Sequence, residues 1–118
     1  MSRTDTFEAM LARGQDSEML RFSLGNAYLA EERPREACAH LRRAVELAPG
    51  YSAAWKQLGR ALDAADEPLA ALEAFERGRE AAEANGDKQT LKEIAVFARR
   101  VRRRLDASAD QDGSAGSP

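Results

Sequence analysis

An all-α fold, a short solenoid of paired helices, is predicted by three features of this 118-residue chain. Its second half repeats its first at a spacing of 34 residues: Leu24, Gly25, Ala27, Ala30, Pro34, Ala37, Arg43, Glu46 and Ala48 recur as Leu58, Gly59, Ala61, Ala64, Pro68, Ala71, Arg77, Glu80 and Ala82. A helix–turn–helix unit of that length cannot bury its apolar face alone and must stack on neighbours. Alanine is abundant while Val, Ile and aromatic residues are sparse, which favours helix over strand. The apolar residues also recur three and four apart along each segment.

A short first helix is expected over about residues 5–13, with Phe7, Met10 and Leu11 on one side and Gly14 as its stop. Asp16 and Ser17 supply N-cap chemistry for a helix from about Glu18 to Ala30, whose inner stripe includes Leu20, Leu24, Ala27 and Tyr28. Pro34 suits the first turn of the next helix, where its missing N–H costs nothing, and that helix should end before Pro49-Gly50. Ala37, Leu41, Ala44 and Val45 form its buried side.

The second unit copies the first. Tyr51-Ser52 opens a helix to about Ala64, residues 66–68 turn the chain, and a partner helix carrying Leu72 and Phe75 runs to about Ala84, where Asn85-Gly86 ends it. A last helix over about residues 88–105 places Leu91, Ile94, Ala95, Ala98, Val101 and Leu105 on one face, as a cap on the stack. The domain therefore spans residues 1–106, with repeats at 18–51 and 52–85, and residues 107–118 are expected to be a disordered tail.

Gly25 and Gly59 sit inside predicted helices, where glycine costs about 1 kcal/mol relative to alanine. Close helix approach offsets that cost, each glycine facing a small residue of the partner helix, Ala37 or Ala71. Leu24 and Tyr28 should meet Leu41, Leu58 and Leu62 should meet Phe75, and Trp55 should lie against the preceding hairpin.

These residues resemble the tetratricopeptide repeat. Leu24-Gly25, Tyr28, Ala37, Leu41, Ala44 and Pro49 fill its pattern in the first unit, with Arg21 where a tryptophan is usual. In the second unit Trp55, Leu58-Gly59, Ala71 and Phe75 match, while Leu62, Gly78 and Glu83 replace the usual Tyr, Ala and Pro, and the loop to the last helix is about two residues longer. The resemblance implies a right-handed superhelix whose first-of-pair helices line a concave face that holds an extended peptide or a partner helix. Candidate groove residues are Met19, Phe22, Asn26 and Leu29, then Lys56, Gln57, Arg60 and Asp63, then Lys92, Val96, Arg99 and Arg103. Phe22 beside Met19 is the sharpest of these, an aromatic that core packing does not explain. Asn26 can clamp a ligand backbone, and Lys56 and Arg60 can pair carboxylates. Some family members grip the C-terminal carboxylate of heat-shock chaperones; here Asn26 fits that clamp, but Phe22 and Gln57 replace its lysine and second asparagine, so that activity is not expected.

Arg99, Arg100, Arg102, Arg103 and Arg104 crowd two turns of the last helix. Complementing the helix dipole is the plain reading, and an anionic partner, acidic peptide or nucleic acid, is the alternative. A net charge of −2 and the lack of aromatic residues among the arginines disfavour nucleic acid. Cys38 and His40, two apart on a helix, point to different faces and suit neither a nucleophile–base pair nor a metal site; His40 is expected to face solvent. No catalytic residue, cofactor or metal is expected. One cysteine excludes an internal disulfide, and neither a signal peptide nor a membrane span is legible, so a cytoplasmic location is the default. The expected role is that of a monomeric adaptor binding a segment of another protein. An anion binder, a self-associating module and a subunit stacking on a larger solenoid are the alternatives.

Overall fold

Six helices follow one another in the computed structural model, which describes residues 1–116 and the side chains of residues 1–110. They are α1 (Arg3–Ala12), α2 (Glu18–Ala30), α3 (Pro34–Leu47), α4 (Ser52–Ala64), α5 (Pro68–Asn85) and α6 (Lys88–Gly116), with no strand among the described residues. α2 pairs with α3 and α4 with α5, the two hairpins join through α3 and α4, and α6 packs on α5 and α4. The predicted helical-hairpin solenoid is the observed fold.

The 34-residue repeat reaches into the turns. Glu32 and Asp66 both adopt left-handed backbone, at φ 58° and 63°. In each turn the next N–H closes a carbonyl of the preceding helix, Arg33 on Tyr28 and Glu67 on Leu62, both at 2.9 Å. This pattern satisfies the carbonyls left open at a helix end, and Pro34 and Pro68 then begin the second helices.

Two ends differ from expectation. α1 starts at Arg3 because Ser2 and Asp5 cap it reciprocally: Ser2 Oγ accepts from the Asp5 N–H at 3.2 Å, and the Asp5 carboxylate accepts from the Ser2 N–H at 3.3 Å. α6 does not stop at Leu105 but continues to Gly116, so the backbone of 107–116 is helical where a tail was expected. Ala107 and Ala109 favour helix and no proline intervenes, although residues 106–110 are exposed. Residues 117–118 lie outside the described residues.

The core explains the in-helix glycines, with one correction. A Cβ at Gly25 would stand 2.3 Å from Leu41 Cγ, and one at Gly59 would stand 2.3 Å from Phe75 Cε1. The glycines therefore admit Leu41 and Phe75, larger side chains than the expected Ala37 and Ala71. All four of those partner-helix residues are buried. Trp55 is only half-buried; its Nε1–H donates to the Pro49 carbonyl at 2.8 Å, so it bridges the inter-hairpin turn and α5, where Arg77 lies 6.0 Å from its ring. Asn85 Nδ2 donates to the Gly50 carbonyl and Ser52 Oγ to Asp87 Oδ2, both at 2.8 Å, which pins the α5–α6 turn to the α3–α4 turn. Hydrogen bonds from Thr90 and Ser52 hold the Asp87 carboxyl below its usual range, and the Thr90 N–H at 3.1 Å makes Asp87 the N-cap of α6.

Candidate partner-binding groove

α2, α4 and α6 stand side by side, because each hairpin stacks first helix on first helix. At the α2 end Met19 is 71% exposed, and the half-buried Phe22 ring lies 4.9 Å from that of Tyr51. In the middle, Asn26 Oδ1 accepts from Gln57 Nε2 at 2.7 Å, and Gln57 Oε1 accepts from Arg60 Nη1 at 3.1 Å. Toward α6 the Arg60 guanidinium lies 4.8 Å from the centre of the half-buried Phe97 ring, with Arg100 at 5.8 Å. Phe97 in turn stacks 6.2 Å from Phe75, so the cationic end rests on the core.

Charge on this face is partly spent internally. Lys56 Nζ donates to Glu93 Oε1 at 3.0 Å, and Arg104 pairs with Asp63. Lys56, expected to meet a ligand carboxylate, is thus already paired within the chain. Arg60 and Arg100 have no carboxylate partner among the described residues, which leaves them as the cations of the groove.

On α6 the residues that face α4 are not those named from the sequence. Glu93, Phe97, Arg100 and Arg104 face α4, whereas Lys92, Val96 and Arg103 are exposed and Arg99 lines a furrow between α6 and α5. Among the described residues no helix packs on the far side of α6, so the positions equivalent to Lys56 and Arg60 of α4 have no neighbouring helix to face. The arginine cluster is likewise divided: Arg100 covers Phe97, Arg104 pairs with Asp63, and Arg99 and Arg102 border the furrow.

His40 also corrects the sequence reading. Its side chain is 13% exposed rather than solvent-facing, and its ring stacks 5.5 Å from that of Tyr28. Arg21, standing where tryptophan is usual, donates from Nη1 to His40 Nδ1 at 3.0 Å, so Nε2 carries the proton toward Glu8 Oε1, also at 3.0 Å. The Tyr28 hydroxyl donates to the same Glu8 oxygen at 3.0 Å, and Arg21 holds Asp16 through two contacts at 2.8 and 3.1 Å. This polar network docks α1 on the first hairpin. Cys38 is buried elsewhere on α3 with its thiol pushed up by burial, so the two residues form no reactive pair.

Burial lowers the His40 pKa from its ordinary 6.5, against the opposing pull of Glu8. The unfolded chain therefore binds a proton that the fold resists, and stability present above about pH 6.5 is lost as pH falls toward the lowered value. His40 is the one histidine of the chain, so the melting temperature should decline from pH 6.5 to 5 in wild type and stay flatter in His40→Gln. Parallel profiles for the two proteins, followed by circular dichroism, would contradict this.

The two hairpins match known proteins. A model of the tetratricopeptide repeat family matches residues 18–61. The TPR repeat-containing protein PA0015 of Pseudomonas aeruginosa is 47% identical over 96 residues, which cover 81% of this chain and 91% of that protein. The chain belongs to the tetratricopeptide repeat family. The solution structure of protein BPP2914 from Bordetella parapertussis matches this tetratricopeptide fold with a TM-score of 0.77 at 43% identity, covering 88% of this chain and 90% of that one. The crystal structure of the TPR protein YrrB matches at a TM-score of 0.64 and 23% identity, over 92% of this chain and 64% of that chain, a likeness of fold. Tetratricopeptide proteins are in general protein-interaction modules, and no helix among the described residues is long and apolar enough to cross a membrane.

Proposed function

We propose that the α2–α4–α6 face is the concave groove in which this tetratricopeptide protein holds a segment of a partner protein. One observation carries the reading: an apolar end, exposed Met19 with half-buried Phe22 and Tyr51, runs through the Asn26–Gln57 amide pair to two cations seated on Phe97. That order fits a segment with an aromatic or aliphatic anchor followed at a distance by a carboxylate. The anchor would desolvate against Phe22, the amides would meet its backbone, and Arg60 and Arg100 would receive the carboxylate. YrrB, a TPR protein with an unusual peptide-binding site, supports use of this fold for peptides.

Selection of a random-peptide phage library against the immobilised protein tests the proposal. Wild type should enrich apolar and acidic peptides, and a Met19→Ala, Phe22→Ala, Arg60→Ala variant of equal helicity should bind them at least about tenfold more weakly, as loss of an aromatic anchor and its charge partner predicts. Equal binding by the variant would move the site off this face.

A further inference from the structure

Among the described residues, α6 is a first-of-pair helix with no second helix packed on it. It begins 36 residues after α4, at Lys88 against Ser52, which aligns Leu91, Ala95 and Ala98 with Trp55, Gly59 and Leu62. In α4 that side receives α5, with Phe75 seated over Gly59. On α6 the same side is the wall of an open furrow whose other wall is α5. Its floor is apolar, with Phe75, Leu91, Ile94, Ala95 and Ala98, and its rims are Glu76 and Arg79 on α5 and Arg99 and Arg102 on α6. The α5 rim repeats α3: Glu76 and Arg79 stand 34 residues after Arg42 and Val45, which border α5 in the preceding unit.

We infer that this furrow is a second interaction surface, the seat of a seventh helix supplied by a partner protein. The chain itself shows twice what covers such a face, α3 on α2 and α5 on α4. Charge and size specify the occupant. Arg79 is engaged by Glu76 and Glu83, but Arg99 and Arg102 have no carboxylate partner among the described residues, so the incoming helix carries acids along that flank. Ala95 replaces the glycine, and a Cβ at Gly59 or Gly25 would fall within 2.3 Å of Phe75 or Leu41. The occupant therefore places a residue the size of alanine where α5 places phenylalanine. A second copy fits poorly: its α5 would bring Phe75 against the Ala95 methyl, and its α3 carries three arginines against two glutamates.

Synthetic peptides built from the chain's own second helices test this. The probe is residues 68–85 with Phe75→Ala, which has four glutamates against two arginines; the controls are the unsubstituted 68–85 peptide and residues 34–47 with Cys38→Ser. In ¹⁵N–¹H spectra of the full chain, the probe should shift the amides of Leu91, Ala95, Ala98 and Arg102. It should bind at least about tenfold more tightly than either control and lose about tenfold in an Arg99→Glu, Arg102→Glu variant. Those arginines are exposed, so the variant keeps its fold, which its unchanged circular dichroism would verify. Absence of probe binding, equal affinity for the basic peptide, or shifts confined to α2 and α4 would overturn the inference. So would a concentration-dependent mass of the chain alone with shifts at the same amides, which would assign the furrow to a second copy.

Discussion

Phe75→Ala is expected to destabilise the protein by about 3 to 5 kcal/mol, because truncating a well-packed aromatic forfeits its transfer energy and leaves a cavity. Phe75 is 2% exposed and sits between α4, over Gly59, and α6, against Phe97. For a domain of this size the melting temperature should fall by roughly 12 to 20 °C. The same residue reverses the effect of a second substitution. In wild type, Gly59→Ala would drive its methyl to within 2.3 Å of the Phe75 ring. The resulting strain of about 1 to 3 kcal/mol matches or exceeds the roughly 1 kcal/mol that alanine gains over glycine in a helix. With the ring removed the strain vanishes and the propensity gain remains. Gly59→Ala should therefore destabilise wild type and stabilise Phe75→Ala, as read from urea unfolding of all four proteins. Additive effects would mean that the glycine is not there to admit the ring.

Removal of residues 88–118 should abolish cooperative folding and cause aggregation. Ile94, Ala98 and Val101 are 3%, 5% and 1% exposed, so α6 shields the apolar side of the second hairpin. Two repeats alone fall short of the number that usually sustains a stack. Removal of residues 107–118 alone should shift the melting temperature by no more than about 1 °C, since residues 106–110 are exposed and surface positions contribute little to stability. A soluble 1–87 fragment with a sharp thermal transition would contradict the capping role of α6.

The repeat made the hairpins legible because it marks positions where substitution is sterically restricted. Pro34 and Pro68 marked helix starts, Gly86 marked a left-handed helix end at φ 69°, and the two in-helix glycines marked close packing. What each glycine faces was not legible, since helical spacing assigns a residue to a side without specifying its neighbour. The Ser2–Asp5 cap was visible as a serine followed three residues later by an acid, a signal that places the start of α1 correctly. His40 could not be placed by spacing, because its burial depends on Arg21 and on Glu8 from a different helix.

The face proposed as the groove was legible in part. Phe22, Asn26, Gln57 and Arg60 lie where α2 meets α4, as first-of-pair positions should. Which cations remain unspent was not, because Lys56–Glu93 and Arg104–Asp63 are decided by side chains meeting across helices distant in sequence. Phe97 and Arg100, which face α4, lie one position from the predicted Val96 and Arg99. Aligning the last helix by its face toward α4 alone would have found them.

The most direct test of the groove is a titration of the ¹⁵N-labelled full chain with a peptide enriched from the phage library. Shifts centred on the amides of Phe22, Asn26, Gln57 and Arg60, and absent on the outer helices α3 and α5, are the predicted result. A footprint on α3 and α5, with α2 and α4 unmoved, would contradict the account.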